Sequence, residues 1–166
     1  MTRQGDVRVR FTRLAAAVRL EMGRLRSIVA EAEEALTDFA TDTPRLRELR
    51  GVGDIVHDFY TGIERIFEKI APELNGGVPA GPASHRELLD NMTLDLPQVR
   101  PAVITRATAG LMAEFLRFRH LFRNLYGFEL EWPRLHPLLT RLPTAWRALE
   151  DDLRRFLEFL DAAARS

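Results

Sequence analysis

The run FRHLFRNLYG, from Phe118 to Gly127, gathers the side chains best suited to chemistry on a phosphodiester. Arg119 and Arg123 carry planar guanidiniums that match phosphate oxygens in fork geometry, with Arg117 a third just upstream. His120 carries an imidazole, the side chain that ordinarily changes charge near neutrality. Asn124 adds an amide and Tyr126 a phenol. Guanidiniums would neutralise phosphate charge while an imidazole moves the proton of a ribose 2′-hydroxyl. On a helix advancing about 100° per residue, Arg119, Arg123 and Tyr126 share one stripe and His120 and Asn124 the adjoining one. Phe115, Phe118, Phe122 and Leu125 form a separate apolar arc that must face the core. An Arg and His stripe of this kind is also the ordinary solvated face of an amphipathic helix, so periodicity alone leaves both readings open.

The elements that must position this run are helical throughout. From Val7 to Phe39, Leu14, Val18, Leu25, Val29, Ala32 and Leu36 recur at three- and four-residue steps, the period of one buried stripe. Turn formers from Thr41 to Pro44 end it. A second helix is expected from Leu46 to Leu74 on Leu49, Val52, Val56, Phe59, Ile63, Ile66 and Ile70, with Gly51 and Gly53 weakening its start. NGGVPAGP reads as a loop, after which Ser84 can cap a short helix running through Met92. The helix expected to hold the run begins at Pro101 or a few residues later, with Leu111 on its apolar face. Beyond Pro133, Leu135, Leu139, Leu142, Trp146, Leu149, Leu153, Phe156 and Leu160 keep helical spacing, so a last helix is expected, kinked or split at Pro143. The fold class is therefore all-α: an up-and-down bundle of four long antiparallel helices plus a short extra one, read as one domain over residues 1–166.

Composition narrows the function classes. The chain has no cysteine, which removes disulfides, thiolate zinc sites and cysteine nucleophiles and fits a reducing cytoplasm. Acidic and basic residues balance at 24 each, so any RNA contact must come from a local patch rather than an overall field. Lys69 is the only lysine. No apolar run approaches the length of a membrane span and the N-terminus lacks a signal-like stretch, so a cytoplasmic protein is expected. The four histidines are scattered without metal-ligand spacing, and neither GVG at Gly51 nor NGG at Asn75 extends into a phosphate loop, so no metal and no cofactor is expected. His57, Asp58, Tyr60 and Glu64 form a polar group on the second helix. His85 is expected at a helix start and His136 on the surface.

Arg119, four residues, Asn124, one residue and Tyr126 resemble the HEPN motif, in which Arg is followed after four to six residues by His and, in HepT toxins, one residue later by Tyr. The likeness extends, in order and spacing, over IVHDFYTGIERIFEKIAPELNGGVPAG, SHRELLDNM, VRPAVI and FLRFRHLFRNLYGFEL, and so resembles the HepT-like domain family over the middle and later half of the chain. The resemblance implies a homodimeric helical bundle whose motif helices face each other across a cleft. It implies a metal-independent endoribonuclease acting on RNA by 2′-hydroxyl attack. Arg119 would stabilise the phosphorane charge, and Tyr126 would match the tyrosine that a partner nucleotidyltransferase antitoxin of the MNT type modifies with AMP. Tyr60 and Glu64 become candidates to support Arg119 or Arg123. The departure is Asn124: an amide cannot accept and return a proton near pH 7. Either His120, one turn earlier, takes the proton-transfer role, or the chain is a catalytically inactive RNA-binding or regulatory HEPN dimer.

Overall fold

The computed structural model describes residues 3–126 and 129–166, with side chains from residue 5 onward. Gly127 and Phe128, part of the last segment that resembles the HepT-like family, lie outside the described residues. Five helices follow in order: α1 Arg3–Asp38, α2 Leu46–Leu74, α3 Ser84–Asn91, α4 Arg106–Phe122 and α5 Trp132–Arg165. No strand occurs among the described residues, the nearest approach being an isolated bridge between Leu96 and Arg100. Four long helices and one short one form the all-α bundle that the periodicity predicts, and no helix among the described residues is long and apolar enough to cross a membrane.

Helix α2 is the axis of the bundle, since it packs against each of the other four helices. Its apolar residues therefore extend beyond one stripe: Val56, Phe59, Tyr60, Ile63, Ile66, Phe67 and Ile70 are all fully buried. Its start is held by Glu48, whose carboxylate accepts the Arg45 backbone N–H at 2.7 Å. Gly53 and Gly62, poor helix formers in isolation, mark the closest approaches. A Cβ at Gly62 would lie 2.7 Å from Leu25 of α1, and one at Gly53 would lie 2.8 Å from the Phe122 ring at the end of α4. The glycine that weakens the helix on propensity is thus the one that lets the end of α4 come down onto it.

Helices α1 and α5 lie side by side, sealed by a continuous apolar seam and by ion pairs along its edge, Arg19 with Asp161 and Arg26 with Glu150. Helix α5 runs unbroken through Pro137 and Pro143 rather than splitting. Each proline removes one backbone N–H, and the packing of Leu135, Leu139, Leu142 and Trp146 into the core offsets that loss. Ser84 is the first residue of α3 and Ala83 occupies the cap position, so Ser84 does not cap as expected. Leu111, expected in the core, is 36 % exposed, because α4 is covered by α2, α3 and α5 but not on that side.

The link from α3 to α4 is organised by one buried cation. The Arg100 guanidinium donates to Asn75 Oδ1 at 2.8 Å and to the carbonyls of Leu94, Pro101 and Asn91 at 2.8, 2.9 and 2.9 Å. It thereby ties the end of α2 to the end of α3. Helix α4 then starts at Thr105, whose hydroxyl accepts the Thr108 N–H at 3.1 Å while its own N–H donates to the buried Asp152 of α5 at 2.8 Å. Asp152 is itself paired with Arg155. Replacing Arg100 with Ala removes a buried cation together with the four part-buried hydrogen bonds it donates. Arg100→Ala is expected to lower unfolding free energy by about 3 kcal/mol or more, read from the urea midpoint at unchanged slope. A midpoint equal to that of the parent would show the loop is held by something else.

Candidate functional site

Arg119 lies in the last turn of α4 and is 8 % exposed. The heptad-like spacing that buries Phe115 and Phe118 carries Arg119 to the edge of the same buried face, against α2. There it meets Glu64, 4 % exposed: Arg119 Nη2 is 3.1 Å from Glu64 Oε1. The second carboxylate oxygen of Glu64 is 2.8 Å from His85 Nδ1, at the start of α3, and His85 Nε2 is in turn 3.5 Å from Arg119 Nη1. A carboxylate, an imidazole and a guanidinium from three helices thus close a ring of contacts. The His120 ring, exposed on the next stripe of α4, stands edge-on to His85 with centroids 5.4 Å apart.

Tyr60 lies one helical turn before Glu64 and is fully buried, and its hydroxyl has no hydrogen-bond partner among the described residues. Burial, with the negative charge of Glu64 adding to it and Arg119 opposing it, pushes the phenol well above its ordinary range, so the hydroxyl stays protonated. Arg119 Nε is likewise buried without a partner. Two donors without acceptors at one place are costly, since each has left water without replacing its bond.

The other residues singled out in the sequence are dispersed. Arg117 projects from the opposite side of α4 into a groove shared with α5, alongside Leu121, Arg134 and Arg141, and does not join Arg119. Arg123 is the exposed C-cap residue. Asn124 and Tyr126 lie beyond the end of the helix, as does Leu125, so the single helical face drawn through all of them does not exist. The reason is local. The Asn124 side-chain amide donates back to the His120 carbonyl at 2.9 Å, and the Asn124 N–H tightens the turn onto the Leu121 carbonyl at 3.0 Å. Carbonyls of a last helical turn have no partner within the helix, and Asn suits the residue that satisfies one. Tyr126 is 70 % exposed, with its N–H donating to Glu129 at 2.9 Å. His57 and Asp58 stay apart from Arg119: the His57 ring packs against Phe122, and His136 packs against Trp132.

His85 lies at the start of α3, as expected, and what the sequence reading missed is its contact with Glu64. Its partner Glu64 is 21 positions away, and the cue was available only as a His at the start of a helix that must dock on α2. Among the described residues no group of three or more His, Asp or Glu has the arrangement of a metal site.

The buried pair makes two predictions. Glu64→Leu strands the Arg119 charge and should cost about 3–5 kcal/mol in denaturant unfolding, while the double change with Arg119→Met should recover most of that loss. A loss in the double variant equal to the sum of the two single-variant losses would show that the pair is not coupled. Tyr60→Phe removes a hydroxyl that makes no bond among the described residues, so stability at neutral pH should stay level or rise. The unfolded chain releases the Tyr60 proton near pH 10, and the folded chain holds it to higher pH. The contribution of this group is therefore intact below that pH and lost as pH rises beyond it. Thermal melts at increasing alkalinity should show a shallower loss for Tyr60→Phe than for the parent.

No curated protein and no solved structure matches the chain. A family model described as HepT-like protein matches residues 51–160, a span that holds Tyr60, Glu64, His85, Arg119, Asn124 and Tyr126 together and covers more than half of the sequence. The chain belongs to the HepT-like family.

Proposed function

We propose that the chain is a HepT-like HEPN toxin that cleaves RNA without a metal, by attack of a ribose 2′-hydroxyl on the adjoining phosphate, in a cleft between two copies of the chain. The observation that carries this reading is the setting of Arg119. Its guanidinium stands at the motif position of a HepT-like sequence, fixed by Glu64 and His85, with the imidazole of His120 edge-on to that of His85. A guanidinium held in one orientation stabilises a phosphorane better than one that must be ordered on binding. Arg123, exposed one turn further on, supplies a second cation for the RNA backbone. Arg117 faces the other side of α4 and is assigned to RNA contact only in so far as the strand wraps that helix.

Control is assigned to Tyr126. A nucleotidyltransferase antitoxin of the MNT type would transfer AMP to its exposed phenol, placing bulk and negative charge beside the arginines and repelling an RNA phosphate.

A second reading is favoured by Asn124. Its amide is engaged in the turn that closes α4 and has no proton to give and take near pH 7, which suits an inactive RNA-binding or regulatory dimer. Expression of the chain alone separates the two. The toxin reading expects growth arrest and fragmented total RNA, both abolished by Arg119→Ala, and arrest that persists in Tyr126→Phe when an MNT-type partner is co-expressed. Intact RNA together with RNA retention in a gel shift would establish the second reading. A stable monomer by sedimentation would remove the composite cleft.

A further inference from the structure

Resting on the reading of the chain as an RNA-cleaving protein, we propose that His85, oriented by Glu64, is the base that takes the 2′-hydroxyl proton, the role that Asn124 cannot fill. The four imidazoles of the chain divide cleanly. His57 is packed on Phe122 and His136 on Trp132, while His85 and His120 stand together beside Arg119. Of these two, His85 alone has a carboxylate partner. Glu64 Oε2, 2.8 Å from Nδ1, keeps the ring proton on that nitrogen and leaves the lone pair on Nε2, which is the form a base requires. Nε2 is turned towards Arg119 Nη1 at 3.5 Å, at the long limit of a hydrogen bond, so its lone pair is only weakly engaged. It points to the guanidinium that would hold the phosphate.

Other candidates for the base fail on the same geometry. The Tyr60 hydroxyl is buried and protonated. Both oxygens of Glu64 are occupied, by Arg119 and by His85. The side chain of His85, in contrast, is 29 % exposed, so a ribose can reach it.

The step balances without a metal. The O2′–H bond breaks and its proton passes to His85 Nε2 as O2′ bonds to phosphorus. The P–O5′ bond then breaks, and the departing oxygen takes a proton from His120, which enters the step as imidazolium. The products are a 2′,3′-cyclic phosphate and a 5′-hydroxyl, and proton exchange with water restores both rings.

The test uses the full chain and a fluorescent single-stranded RNA oligonucleotide. His85→Ala should lower the cleavage rate by about 100-fold or more with RNA retention in a gel shift unchanged, and imidazole added to the buffer should restore part of the rate. His85→Asn keeps an N–H for Glu64 and should be equally slow, which separates loss of the base from loss of folding. Cleavage at the parent rate in either variant overturns the proposal, as does a loss in His85→Ala that imidazole leaves unrestored. Parent-chain cleavage abolished by Arg119→Ala but retained in His85→Asn overturns this assignment alone. A parent chain that leaves the RNA intact overturns the proposed function and this assignment together.

Discussion

A buried charge must be answered by another, and in this bundle the answer to Arg119 is Glu64. Both side chains are almost wholly withdrawn from water, and a pair of that kind contributes little net stability relative to an apolar pair, because removing two ions from water costs about as much as their attraction returns. What it does contribute is position. The carboxylate has two oxygens and divides them between the guanidinium of α4 and the imidazole of α3, so the ends of two helices are registered against a single residue of α2. Helix α3 is only eight residues long, too short to persist by itself, and depends on the burial of Leu88 and Leu89 together with this contact. The chemistry-bearing residues are therefore placed by the axis of the bundle rather than by the helix that carries the motif.

Much of the architecture was legible because it follows from periodicity. The second helix falls on Leu46–Leu74 as its apolar spacing requires, and the first helix differs from expectation only near its ends. Leu111 shows the limit of that reasoning: its spacing matches Phe115 and Phe118, yet no element among the described residues covers its side of α4. Whether an apolar position is buried depends on what packs against it, which periodicity does not contain. Proline in α5 shows the same limit from the other direction, since local propensity argued for a break that the core packing overrides.

The candidate site was legible in its residue types and less so in its geometry. The family resemblance makes Tyr60 and Glu64 candidates to support Arg119 or Arg123, and Glu64 lies against Arg119; Asn124 and Tyr126 are expected on a helix that stops short of them. The stop is a side-chain-to-backbone bond within four residues, the kind of competition that Asn brings to any helix end and that a helical wheel ignores. His85 escaped for the opposite reason, because its partner is remote in sequence and reaches it only once α3 has docked.

The early end of α4 has a consequence for any enzyme that must act on Tyr126. A residue within a helix presents its side chain on a cylinder whose backbone is already fully bonded, so a second active site has to accept the whole rod or unwind a turn. Tyr126 instead stands on a connecting segment between two helices, anchored through its backbone to Glu129. The bond that anchors it lies in solvent, so a second active site can displace that bond at less cost than unwinding a turn of a packed helix.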